Sequence, residues 1–169
     1  MTRAYLLTVL FWAAVFWNDS ASAQVPPALA TPGETAIATF HAEGAQIFEC
    51  KAENNGGLSW VFREPIATLL LSGKTVGRHY AGPTWELTDG SAVTGKAVAN
   101  TPGATANDIP WLKLDVVNRQ GSGLLTRVTT VRRINTQGGA VRGACNQAGA
   151  FRSVAYSADY GFLSKNDKD

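Results

Sequence analysis

The chain is poor in the residues that most catalytic and metal sites need. Its 169 residues contain two histidines, two cysteines and one methionine, and that methionine is Met1. A serine-hydrolase triad requires a nucleophile, a histidine base and an orienting acid. Only His41 and His79 are available as bases, and no serine lies in a GxSxG turn. The histidines form neither an HxH nor an HxxxH pair, so no metal site is expected. There is no GxGxxG, which argues against a dinucleotide-binding fold. Gly90-Ser91-Ala92-Val93-Thr94-Gly95-Lys96 has the spacing of a phosphate-binding loop, but Ala97 replaces the hydroxyl residue that would hold Mg²⁺. No cofactor is expected, and no catalytic residue is assigned. The net charge of +2 is too mild to imply nucleic acid as a partner.

The chain also lacks an apolar run long enough to cross a bilayer, which takes about 20 residues. What it has is a shorter run at the start. Arg3 precedes an apolar stretch from Ala4 to Trp17, interrupted only by Thr8, and Ala21-Ser22-Ala23 then supplies a small-x-small cleavage site before Gln24. This pattern predicts a secretory signal peptide over residues 1–23. Export implies a periplasmic or secreted protein with no membrane span after cleavage. In an oxidising compartment Cys50 and Cys145 would form one disulfide. Free thiols or metal ligation are the alternatives, although the spacing matches no thiolate–metal motif.

No part of the mature chain sustains a helical apolar stripe for three turns. Residues 24–33 read as a Pro-rich lead-in, 34–164 as a β domain and 165–169 as a polar tail. The β domain consists of short segments rich in Val, Ile, Thr and aromatics, separated by Gly, Asn, Asp and Pro. Strands are predicted over residues 35–41, 46–51, 58–62, 75–80, 92–99, 112–118, 128–135 and 154–162, while 65–71 could be a short helix or a buried strand. The fold class expected is all-β: a single antiparallel β-sandwich or barrel-like domain with at most short helical turns. Two long irregular stretches, 100–110 and 136–150, are candidate binding loops.

Charge is unevenly spread. Residues 111–152 hold seven basic side chains against the single acid Asp115, whereas residues 24–110 hold five against eight acids. Either the two halves pair across strands, or the basic half offers a face to an anionic ligand. The densest group of stacking and hydrogen-bonding side chains is Val76 to Gly90, with Arg78, His79, Tyr80, Trp85, Glu86 and Asp89 around a Gly82-Pro83 corner. Together with Trp111 and Asp159 these residues are the candidate ligand-binding set. A packing hairpin, with Trp85 in the core and Arg78 paired to Glu86, is the competing explanation.

The ordered series Gly44-Ala45-Gln46-Ile47-Phe48-Glu49-Cys50, Gly77-Arg78-His79-Tyr80-Ala81-Gly82-Pro83-Thr84-Trp85-Glu86, Asp89-Gly90-Ser91, Ile109-Pro110-Trp111-Leu112, Arg133-Ile134-Asn135-Thr136-Gln137-Gly138-Gly139, Cys145 and Tyr156-Ser157-Ala158-Asp159-Tyr160 resembles domain-of-unknown-function family 3455. That family comprises secreted bacterial and fungal proteins, and pairing of the two cysteines fits it. The resemblance implies no activity, cofactor or catalytic residue. Some fungal relatives carry a malate dehydrogenase label, which the missing dinucleotide motif argues against transferring. The sequence thus leans towards binding rather than catalysis, with a small polar or anionic ligand or an envelope component as partner. The alternatives are a small hydrolase using His79 with Glu86, Asp89 or Asp159, and a structural envelope protein.

Overall fold

The computed structural model describes residues 24–54 and 56–166, so the signal-peptide reading lies outside the described residues. Eight antiparallel strands follow one another around a closed barrel: β1 (Glu34–Ala52), β2 (Leu58–Leu71), β3 (Lys74–Tyr80), β4 (Thr84–Leu87), β5 (Ala92–Thr101), β6 (Trp111–Gln120), β7 (Thr130–Gly138) and β8 (Phe151–Lys165). Each strand pairs with its sequence neighbours. The ring closes where β1 meets β8, from Glu34↔Lys165 to Glu49↔Phe151. Closure leaves no free sheet edge. The all-β class holds, and of the two architectures expected the barrel is the one found.

Strand alternation sorts the side chains. Phe40 and Ala42 on β1 point into the core with Tyr156, Ala158, Tyr160 and Phe162 on β8, while His41, Glu43 and Asp159 between them face out. Along these two strands apolar side chains fill the interior and charged ones face out. No helix among the described residues is long and apolar enough to cross a membrane.

Three strand boundaries differ from the pattern in the sequence, each for a local reason. The two segments 35–41 and 46–51 are one strand, because Gly44 is a point of close approach and not a break. A Cβ there would lie 2.0 Å from the Ile66 carbonyl oxygen on β2. Residues 65–71 belong to β2 rather than to a helix. Pro65, which cannot donate to the ladder, sits just after a bulge where Ile47↔Glu64 is followed by Phe48↔Phe62. The four-residue β4 completes the hairpin expected at Gly82-Pro83.

The two ends of the barrel are built differently. At the end that carries the β2–β3, β4–β5 and β6–β7 turns, the 3₁₀ turn Leu124–Arg127 lays Leu125 and Val128 across the core, both fully buried. Asp89 fixes this plug. One carboxylate oxygen accepts from the Ser91 amide and hydroxyl (2.8 and 2.6 Å), and the other accepts from the Leu124 amide (2.8 Å). Ser91 Oγ in turn accepts from the Leu125 amide at 3.2 Å. The Leu124 amide, followed by Ser91, holds the Asp89 carboxyl below its ordinary range. In the lead-in, Leu29 ends a short 3₁₀ turn (Pro27–Leu29) and is buried where that turn packs on β5.

At the opposite end two long loops, 102–110 and 139–150, are stitched together. Asp108 bridges to Gly139, and its carboxylate accepts from the Gly138 amide and from the Thr105 amide and hydroxyl. Cys50 and Cys145 are disulfide-bonded, tying the second loop to β1 across a sequence separation of 95. The Gly149 amide adds a hydrogen bond to the Cys50 carbonyl. A disulfide of this kind fits an extracellular protein.

Candidate functional site

Between these loops the barrel interior is open. The lower part is filled by Phe40, Leu69, Trp85, Val93, Leu114 and Phe162, among others. Above them lies a cavity of about 700 Å³, within the range of small-molecule sites. An eight-stranded barrel is just wide enough to hold side chains or one small ligand. Here small residues on β5 leave the room: Gly95 and Ala97 line the cavity, and a Cβ on Gly95 would come within 3.1 Å of the Trp85 ring and 3.2 Å of Leu114.

The wall is mainly apolar, with Phe48 and Phe62 packed edge to face at 5.8 Å, together with Pro65, Ile109 and Leu112. Its polar side chains come from four different strands: Gln46 (β1), His79 (β3), Arg133 (β7) and Tyr160 (β8). Arg63 and Lys96 are the other charged lining residues, and no carboxylate lines the cavity.

His79 and Trp85 face each other across the β3–β4 hairpin and stack at 4.5 Å with their rings nearly parallel. Tyr160 tilts against both, at 5.0 and 5.3 Å. His79 Nδ1 lies 2.9 Å from the Thr84 carbonyl oxygen, so it must donate, which leaves Nε2 with the lone pair. Burial lowers the His79 pKa to about 4, with the nearby Arg133 charge acting in the same direction, so the ring is neutral at physiological pH. Arg133 reaches across to donate Nε and Nη2 to the Pro110 carbonyl, at 3.1 and 2.9 Å. The Tyr156 and Tyr160 hydroxyls are 3.4 Å apart, and burial raises both phenols above their ordinary range. Among the buried donors of the described residues that have no acceptor, two belong to cavity-lining side chains: Gln46 Nε2 and Trp85 Nε1.

The structure divides the candidate set from the sequence. His79 and Trp85 line the cavity. Arg78, Tyr80 and Glu86 lie on the outer face, where Arg78 donates to both Glu86 oxygens and the Tyr80 hydroxyl donates to Glu86 at 2.8 Å. These bonds lower the Glu86 pKa, the Tyr80 hydroxyl being the largest cause and Arg78 the next. Asp89 belongs to the closed end. Trp111 begins β6, beside the cavity-lining Leu112 but not itself among the lining residues. Asp159 is outside, 2.8 Å from His41 Nδ1 and accepting from Asn135 Nδ2 at 2.8 Å. His79 is therefore not brought together with Glu86, Asp89 or Asp159, the acids a hydrolase would pair with it. No group of three metal-ligating side chains occurs among the described residues.

A family model described as "Protein of unknown function (DUF3455)" matches residues 31–164. The chain belongs to this family. The match takes in every strand except the last residue of β8, so the DUF3455 domain is the whole barrel with its cavity. No curated protein and no solved structure matches the chain.

Gln46, Arg133 and Tyr160 complete the polar wall, yet reasoning from local clusters passes over them. Their signal is positional: each occupies an inward place on a strand otherwise occupied by apolar or small residues, as Gln46 does between Gly44 and Phe48.

Proposed function

We propose that this chain is an exported binding protein, periplasmic or secreted, that holds one small molecule in the open end of its barrel. The observation that carries this reading is the cavity of about 700 Å³, walled by apolar surface with a few polar groups converging from four strands. A barrel that only served as an interaction scaffold would gain by filling that space, since unfilled interior costs stability. The signal-peptide pattern over residues 1–23 and the Cys50–Cys145 bridge support export. Binding is favoured over hydrolysis because the only buried histidine has a neutral ring whose neighbours are aromatic and cationic, with no acid beside it.

The test uses the mature chain, residues 24–169, with its disulfide intact, and the neutral fluorophore N-phenyl-1-naphthylamine. Fluorescence should rise on mixing and saturate at one probe per chain. Ala97→Trp, which places a large ring at the cavity wall, should abolish the rise without lowering the melting temperature. An equal rise with the Ala97→Trp variant would locate uptake elsewhere and end the proposal.

A further inference from the structure

We infer that the occupant is an organic anion, a carboxylate carried on an apolar ring or chain, with its head held by Arg133, Trp85 and Gln46. This rests on the reading of the cavity as a binding site and concerns what the site selects.

Charge comes first. Arg133 is the unpaired cation turned into the lining, and no acid among the described residues lines it; Arg63 is paired with Glu64, and Lys96, between the inward Gly95 and Ala97, lies opposite the outward Asp115. The ion pairs of the described residues join His41 to Glu43 and Asp159, Lys51 to Glu49, Arg63 to Glu64 and Arg78 to Glu86. None joins a base from 111–152 to an acid from 24–110, so the expected pairing of the two halves is absent from these contacts. The basic half instead spends its donors on backbone carbonyls: Arg119 on Val128, Arg133 on Pro110, Arg142 on Ala106 and Arg152 on Arg142. Carbonyl contacts orient Arg133 without neutralising it, and a half-buried cation without a counter-charge is a poor arrangement unless an anion arrives.

The hydrogen-bond supply points the same way. Gln46 is 3 % exposed and Trp85 1 % exposed; both line the cavity, where Trp85 Nε1 has no acceptor and Gln46 Nε2 has none at full hydrogen-bond geometry, its amide lying beside the Tyr156 hydroxyl. Arg133 keeps Nη1 outside its two bonds to Pro110, with the guanidinium beside the Tyr160 hydroxyl. His79 adds an uncharged ring to the lining, with its lone pair on Nε2. A carboxylate accepts through two oxygens and donates nothing, so it answers unpaired donors and positive charge together. The apolar body of the ligand would then lie along Phe48, Phe62 and Leu112 towards the mouth.

The experiment is competition against N-phenyl-1-naphthylamine on the mature, disulfide-bonded chain, using two matched pairs: 2-naphthoate with 2-naphthamide, and dodecanoate with dodecan-1-ol. In at least one pair the acid should displace the probe at roughly tenfold lower concentration than its neutral partner, the advantage expected of one charge-assisted contact. In Arg133→Gln that ratio should collapse towards one. Neutral partners that compete as well as the acids, or an acid preference that survives Arg133→Gln, would overturn the inference while leaving the cavity as a binding site. No uptake of the probe by the wild-type chain would instead remove the binding reading itself. Should Arg133→Gln fail to fold, the acid-to-neutral ratio of the wild type decides alone.

Discussion

The two ends of this barrel solve opposite problems with the same strands. One end is shut by packing: Leu125 and Val128 lie over the core, and Asp89 and Ser91 pin the turn that carries them. The other is kept open by ties at its rim, where the Cys50–Cys145 bridge and the Asp108 contacts hold the two long loops in place around the cavity. Packing fills the interior at one end and leaves there a recess of about 600 Å³ beside Leu124, Thr126 and Arg127, whereas covalent and polar ties around an edge stabilise a space within the barrel without filling it. The difference teaches that stability and vacancy are assigned to different residues, and that they should respond separately to mutation.

The largest effect should come from the rim tie. Replacing both cysteines, Cys50→Ser with Cys145→Ser, frees a separation of 95 residues. In the chain-entropy model that loses about 4–5 kcal/mol of unfolding free energy, read by urea denaturation. Probe uptake should weaken with it, since the tied loop is bridged to Asp108, next to the cavity-lining Ile109. At the shut end, Leu125→Ala should cost about 3 kcal/mol as a buried leucine truncation. Its uptake of the probe should match wild type, and a loss of uptake there would break the separation of the two ends.

Acid should act from inside. His79 has its pKa lowered to about 4, below the ordinary 6.5, so the unfolded chain takes up a proton that the folded one refuses. Stability is therefore fully present above pH 6.5 and is lost as pH falls from there towards 4, by up to about 3 kcal/mol. Melting temperatures across that window should fall in wild type and fall less in His79→Gln. The smallest effect should be Asp89→Asn, about 1–2 kcal/mol, because the amide keeps the shape but loses charge-assisted bonds to Ser91 and Leu124. The acid side of the melting profile checks it: the lowered Asp89 pKa gives wild type an advantage that fades as pH falls below 3.8, and the variant should lack it.

Much of the fold could be read from the residues. Alternation along 112–118 and 154–162, with glycine-rich turns between segments, was enough for an antiparallel β domain, and two cysteines behind a signal-peptide pattern were enough to expect the Cys50–Cys145 pair. Closure was not legible, because a sandwich and a barrel share that grammar until Glu34 pairs with Lys165 at the far ends of the domain. The site was only half legible. Arg78, His79 and Tyr80 are adjacent in sequence, but on a strand adjacent side chains face opposite sides, so one enters the lumen and two leave it. Gln46 and Arg133 are far from that hairpin in sequence, and only the barrel wraps them around the same cavity.

Occupancy of the open end beside the buried indole of Trp85 can be read from the indole N–H resonances of residues 24–169. The three tryptophans of that span, Trp60, Trp85 and Trp111, can be assigned with single Phe substitutions at Trp60 and Trp111 and followed by NMR during a 2-naphthoate titration. The Trp85 Nε1–H signal should move farthest and saturate at one equivalent, because of the three indoles without an acceptor only Trp85 lines the cavity. A Trp85 signal that stays in place while the other two shift, or while none does, would contradict the account.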